Sequence, residues 1–204
     1  SMENKKQILL VNDLAGYGKV ALSAMMPIFS HMGFEIFTLP TALVSNTLDY
    51  GKFEILDTKD YIAKTIQIWR ELQFSFQSIS IGFIASDEEA EILANFCSEQ
   101  KKKNTFIFVD PIMGDNGKLY QGFDTSYVDS MRSFCQKADL ILPNLTEACL
   151  LAEVAYEDKA LTEEFLQLLT QRLATIVGTR RIVLTGLPLS DDQIGVAYFD
   201  KEEG

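Results

Sequence analysis

The 204-residue sequence predicts an α/β fold built on a mostly parallel central sheet. Three observations carry that reading. Short apolar runs alternate with amphipathic stretches of helical length, the pattern of right-handed βαβ crossovers. The first run, residues 8–12 (ILLVN), is almost wholly apolar and β-branched, as a strand covered on both faces would be. Carboxylates and amides recur just after these runs, at the edge where open parallel sheets bind ligands.

Taken in order, 8–12 is the first strand, and 19–32 carries apolar side chains at helical spacing up to Gly33. Residues 35–39 form the second strand and 58–73 an amphipathic helix. The strand 78–81 ends at Gly82. Ser86-Asp87-Glu88-Glu89 has the spacing of a capping box and opens a helix to about Lys102. Residues 106–109 are the next strand, 125–137 the next helix, and 140–142 a short strand closed by Pro143. Helices follow at 145–152 and 161–177, then strands at 182–185 and 194–199. With no repeat, low-complexity tract or linker, 3–204 reads as a single domain, and Ser1-Met2 as a tag remnant. Residues 200–204 read as the turn of a hairpin whose second strand does not arrive, so the domain is expected to be C-terminally incomplete.

Composition narrows the function. A net charge of −11, from 29 acidic and 18 basic residues, disfavours nucleic-acid and anionic-membrane partners. The basic run Lys101-Lys102-Lys103 suits a helix C-terminus. No apolar stretch approaches the roughly 20 residues of a membrane span, and no secretory leader is evident; a cytoplasmic protein is expected. Cys97, Cys135 and Cys149 are too scattered for a zinc knuckle or a redox pair and read as buried thiols. The single histidine, His31, sits at a helix end, where the dipole explains it. A Ser-His-Asp hydrolase would need this histidine, and nothing nearby supports that role.

The polar residues at the strand ends form one set. Asp13 and Gly16-Tyr17-Gly18 follow the first strand, and 41–47 (TALVSNT) follows the second. Asp110 and Asp115 follow the fourth strand, Asn144 and Glu147 the fifth, and Thr185-Gly186 the sixth. Each has a structural alternative: a turn at Ser45-Asn46, a strand stop at Asp110-Pro111, a capping box at Asn144-x-x-Glu147. Carboxylates and amides gathered without His or Cys suit Mg²⁺, a hard cation that keeps several waters. Mg²⁺ commonly accompanies nucleotide phosphates, and the chemistry that follows is phosphoryl transfer.

Asp-Pro-Ile-Met-Gly-Asp at 110–115 with Gly117-Lys118-Leu119-Tyr120, then Leu-Pro-Asn-Leu-Thr-Glu-Ala at 142–148, resembles the pyridoxal (pyridoxamine) kinases of the ribokinase-like superfamily. Ser45-Asn46 with Tyr50-Gly51 looks like that family's substrate-side loop. The resemblance runs from Ile8 to about Phe199 and implies a three-layer ribokinase-like fold. It implies ATP-dependent phosphorylation of the 5′-hydroxymethyl group of a vitamin B6 vitamer, with ATP as co-substrate. Asp13, Ser45 and Asn46 would contact the vitamer; Asp110, Asn144 and Glu147 would organise Mg²⁺, partly through water. Asp115, Lys118 and Tyr120 would belong to a mobile flap, and Thr185 and Gly186 would lie along the nucleotide. Relatives usually dimerise, and an unfinished edge strand could serve a homodimer; a missing strand of the same chain explains that edge equally.

The chain departs from the family pattern at Asn12-Asp13-Leu14, Phe83 and Leu142, and the aspartate resembles the hydroxymethylpyrimidine kinases. That keeps a hydroxymethylpyrimidine (phosphate) kinase open as an alternative. The Gly-x-Gly-Asp motif carrying the family's general base is absent from the 204 residues and is expected downstream. Without it, a non-catalytic ligand-binding homologue is a third reading.

Overall fold

The computed structural model describes residues 6–158, 161–190 and 193–203. Ser1-Met2, read as a tag remnant, and Gly204 lie outside the described residues. The chain forms two compact units, Ser1–Ile107 and Phe108–Gly204.

The first unit holds β1 (Gln7–Ala15), α1 (Leu22–His31), β2 (Glu35–Val44), β3 (Ile55–Asp57), α2 (Lys59–Glu71), β4 (Ser78–Ile81) and α3 (Asp87–Lys101). Its strands run in the order β4-β1-β2-β3. β1 is parallel to both neighbours, with Leu9 opposite Phe37 on one side and Ile79 on the other. A strand sandwiched this way must be apolar on both faces, and Ile8, Leu9, Leu10 and Val11 are each no more than 1% exposed. The covering helices bury residues at helical spacing: Ile62 and Ile66 from α2, Leu93, Phe96 and Cys97 from α3. Phe37, Trp69, Phe74 and Phe76 pack as an aromatic cluster with centroids 5.0 to 6.3 Å apart.

β5 (Phe106–Val109) leads into the second unit. There follow the two-residue strands β6 (Gly114–Asp115) and β7 (Lys118–Leu119), then α4 (Thr125–Cys135), β8 (Leu140–Ile141) and α5 (Leu145–Ala152). α6 (Glu163–Ile176), β9 (Arg181–Ser190) and β10 (Gln193–Asp200) complete it. β5, β8 and β9 are parallel, and β10 returns antiparallel to β9. Both units therefore share one plan, parallel strands with a single antiparallel edge strand. α5 is buried along nearly all its length. Its last carbonyls are held by two guanidinium groups: Arg132 donates to Leu150 and Leu151 at 2.9 Å each, and Arg172 to Ala152 at 3.3 Å.

The order of elements follows the sequence prediction, and the three cysteines are buried free thiols as expected. The strand lengths differ. β2 does not stop at Leu39 but passes through Pro40 to Val44, so Thr41–Val44 is strand rather than loop. Proline is tolerated because β3 pairs only with Ala42–Val44, leaving β2 an edge at Pro40. β3 itself escapes the sequence reading; three residues are too few to show a period. The capping box at Ser86 is only half formed. Ser86 Oγ accepts the Glu89 N–H at 3.2 Å, while the Glu89 side chain turns into the interior, fully buried.

Candidate functional site

In the second unit the site grows from the end of β5. Asp110 closes the strand, Pro111 prevents its continuation, and the chain turns into the β6–β7 hairpin. Asn116 and Gly117 at its tip have φ of 51° and 79°. Two left-handed residues between paired strands make the tight turn that Asn-Gly favours. A side chain at Gly117 would meet the Tyr156 ring at 2.6 Å, so that aromatic ring packs directly on the turn.

The first turn of α5 holds the hairpin. Asn144 is the N-cap: its Oδ1 accepts the Glu147 N–H at 2.8 Å, and Glu147 Oε1 accepts the Asn144 N–H at 2.9 Å. Both side chains also reach outward. Asn144 Nδ2 donates to the Gly114 carbonyl at 2.9 Å, and Glu147 Oε2 accepts the Met113 N–H at 2.9 Å. Thr146 Oγ1 accepts the Gly117 N–H, also at 2.9 Å. Three polar residues of one helix start, Asn144, Thr146 and Glu147, thus fix three points along the 113–117 segment.

The electrostatics favour a bound cation. Glu147 is 4% exposed. Burial raises its pKa to about 7, against the backbone N–H bonds that would lower it, and the Asp110 charge adds to the rise. Asp110 keeps part of its surface in solvent, yet the dense protein around it raises its pKa to about 6 by desolvation. Tyr120 is raised as well, first by burial and then by the charges of Glu147, Asp115 and Asp110. A hard divalent ion bound near these carboxylates would relieve both the burial and the repulsion that Asp110 exerts on Glu147. Among the described residues no three His, Cys, Asp or Glu side chains are grouped to hold a metal alone. An ion at Asp110 and Glu147 would complete its shell with water and phosphate oxygens.

A cavity of about 650 Å³ is bordered by Asp115 and Asn116 of the hairpin, Asn144 and Thr146 of the α5 start, Tyr156 and Gly186; neither Asp110 nor Glu147 lines it. Thr185 is bound to the site through its backbone, its N–H donating to the Pro143 carbonyl at 3.0 Å. Lys118 is exposed on the hairpin.

The first unit has its own polar edge. Asp13 stands where the β1–β2 register shifts: Asn12 pairs with Pro40 and Leu14 with Leu43, so Asp13 alone opposes Thr41 and Ala42. Such bulges re-aim side chains. Burial raises the Asp13 pKa. Ser45 and Asn46 turn inward on their own loop. Ser45 Oγ donates to Asn46 Oδ1 at 2.7 Å and accepts the Glu54 N–H at 2.8 Å, and Asn46 Nδ2 donates to the carbonyls of Thr47 and Lys52.

Sequence reasoning therefore named residues that the second unit brings together: Asp110, Asp115, Tyr120, Asn144, Glu147 and Gly186. It kept capping and metal binding apart as alternatives for Asn144 and Glu147, whereas the geometry has both side chains capping and bracing at once. It quoted Asn12, Thr41 and Thr146 within longer stretches without giving them a role of their own, and it missed Tyr156. The Asn116-Gly117 dipeptide was a legible hairpin signal that the reading as a mobile flap passed over.

A family profile described as phosphomethylpyrimidine kinase matches residues 22–203. A Bacteroides thetaiotaomicron protein classed with the phosphomethylpyrimidine kinases, crystallised with pyridoxal, is 35% identical; it superposes with a TM-score of 0.91 over 98% of this chain and 70% of its own. Pyridoxal kinase from Lactobacillus plantarum is 31% identical, with a TM-score of 0.84 over 98% and 70%. A pyridoxal kinase of Actinobacillus pleuropneumoniae is 29% identical over 150 residues, 70% of this chain and 51% of the relative. The chain spans between 44% and 65% of the length of the curated relatives it matches.

Proposed function

From the premise that the chain belongs to the phosphomethylpyrimidine kinase family, we propose that it serves ATP-dependent phosphorylation of the 5′-hydroxymethyl group of pyridoxal, pyridoxamine or pyridoxine. The observation that carries this reading is the 650 Å³ cavity bordered by the β6–β7 hairpin and the first turn of α5, with that hairpin braced by Asn144, Thr146 and Glu147. Likeness to pyridoxal kinases supports the choice of vitamer. An ATP-using salvage step also supports a cytoplasmic location. Among the described residues no helix is long and apolar enough to cross a membrane.

In this reading Asp110 and Glu147 would hold Mg²⁺, which supplies charge neutralisation for the phosphates. Asn144 and Thr146 set the hairpin over the cavity, where Asp115, Lys118 and Tyr120 shield the nucleotide from water; Thr185 and Gly186 border it. Asp13, Ser45 and Asn46 belong to the acceptor side. The Gly-x-Gly-Asp aspartate that the resemblance gives as general base is not among these residues, so every role assigned is binding or positioning. An exposed β3, with Ile55 and Leu56 open to solvent, would suit a homodimer.

The test is ATP consumption by the complete gene product with pyridoxal, pyridoxamine or hydroxymethylpyrimidine as acceptor. Preference for the B6 vitamers supports the proposal. Preference for the pyrimidine favours the second reading, a hydroxymethylpyrimidine (phosphate) kinase, which Asp13 at the β1 bulge and the family match both support. Mg²⁺-dependent ATP binding without turnover on any acceptor would point instead to a ligand-binding homologue.

A further inference from the structure

Asn12 does more on the acceptor side than precede the β1 bulge. It is 6% exposed, and its Oδ1 accepts two backbone N–H groups, Asp13 and Phe83, each at 3.0 Å. These N–H groups come from the β1 bulge and from the segment that follows β4. Its Nδ2 faces the sulfur of Met25 on α1 at 3.7 Å. The carboxamide lies over Gly82, where any Cβ would overlap it, so glycine at 82 is the space that admits Asn12. On the opposite side the fully buried Thr41 donates its hydroxyl to the Phe83 carbonyl at 2.6 Å. The N–H and the C=O of Phe83 are thus each held by a buried side chain, beside the bulge that carries Asp13.

We propose that Asn12 is a positioning residue for acceptor binding: it locks the Asp13 and Phe83 backbones into one geometry, with Thr41 as its counterpart. This rests on the reading of the Asp13 edge as the acceptor side. The ligand class is a small polar heteroaromatic alcohol, read by a fixed carboxyl at Asp13 rather than by a mobile one. Preorganisation of this kind appears in affinity because a carboxyl already held in place loses little freedom on binding.

The experiment compares Asn12→Leu, Asn12→Asp and Thr41→Val with the parent chain. Titration calorimetry would follow pyridoxine, hydroxymethylpyrimidine and Mg²⁺–ATP. Leucine has similar volume and no acceptor; aspartate restores an oxygen to both N–H groups. Asn12→Leu and Thr41→Val are expected to weaken acceptor binding about tenfold or more. Mg²⁺–ATP binding should stay within about twofold, and Asn12→Asp should recover most of the loss. Equal weakening of both ligands, or of neither, overturns the proposal. A ligand-free readout separates it from the functional reading: carbon NMR of the Asp13 carboxyl. Its titration should move in Asn12→Leu, and an unmoved titration sinks the positioning role. A parent that binds neither acceptor, with the Asp13 titration still governed by Asn12, defeats the kinase reading alone. Should Asn12→Leu fail to fold, Thr41→Val carries the same test from the other side of Phe83.

Discussion

Glu147 accepts the N–H of Met113 on one carboxylate oxygen and the N–H of Asn144 on the other, each at 2.9 Å. One buried side chain therefore caps a helix and anchors a hairpin. Glu147→Ala leaves both N–H groups without this acceptor. It should cost about 1–3 kcal/mol of stability and also weaken Mg²⁺-dependent nucleotide binding. Thermal unfolding and ATP titration in the same variant check both effects. Loss of stability with unaltered Mg²⁺–ATP affinity would leave Glu147 a purely structural cap.

The same pair sets a pH dependence. With pKa values raised to about 7 for Glu147 and about 6 for Asp110, both are partly protonated in mild acid, and a proton competes with a cation. Mg²⁺-dependent ATP binding should strengthen from about pH 5.5 to about pH 8. Asp110→Asn should flatten that profile as well as lower the affinity. Intrinsic stability moves the opposite way: the folded state holds the Glu147 proton longer than the unfolded chain, so its contribution is lost as pH rises through about 7.

Gly117→Ala tests the hairpin. Its φ of 79° strains any other residue, and the new methyl would press on the Tyr156 ring. A penalty of about 1–2 kcal/mol is expected, felt locally as faster amide exchange over 113–119. Tyr156→Ala in the same background should relieve the steric part and leave the backbone part. If the double variant exchanges no more slowly than Gly117→Ala alone, Tyr156 does not pack on the turn as described.

Glu89 gives a prediction away from the site. It is fully buried and raised to about 9, chiefly by desolvation and then by the neighbouring Asp57 carboxylate. The unfolded chain releases this proton near the ordinary value of 4.5 and the folded chain only near 9. Its stability contribution is therefore complete below about 4.5, declines across the interval, and is gone above about 9. Glu89→Gln should remove this component of the decline and raise stability at alkaline pH. Parallel melting curves for the two proteins across the range would sink the assignment.

How much of this the sequence disclosed depended on how far each signal reaches along the chain. β1, α2 and α3 were legible because burial imposes a period over many residues. Asp110, Asn144 and Glu147 were legible because the strand-end rule gathers polar groups at one edge. β3 was not, being three residues long with no buried position to set a period. Nor was Asn12: a polar residue closing an apolar strand reads as its last exposed position. Only the fold brings Phe83 and Gly82 against it, 70 or so residues later in the chain. Glu89 was misread for a related reason. The Ser-x-x-Glu spacing describes the helix start alone, while the burial that redirects Glu89 comes from tertiary packing.

α5 has eight residues, too few to hold a helix in water by its own hydrogen bonds. Both of its ends are tied, by the Asn144–Glu147 box in front and by Arg132 and Arg172 behind. Neither end is left to unwind, so this short rod acts as a fixed abutment. The 113–117 segment is pinned to a support that does not yield, so a load on the hairpin would fall on its own backbone rather than on the helix.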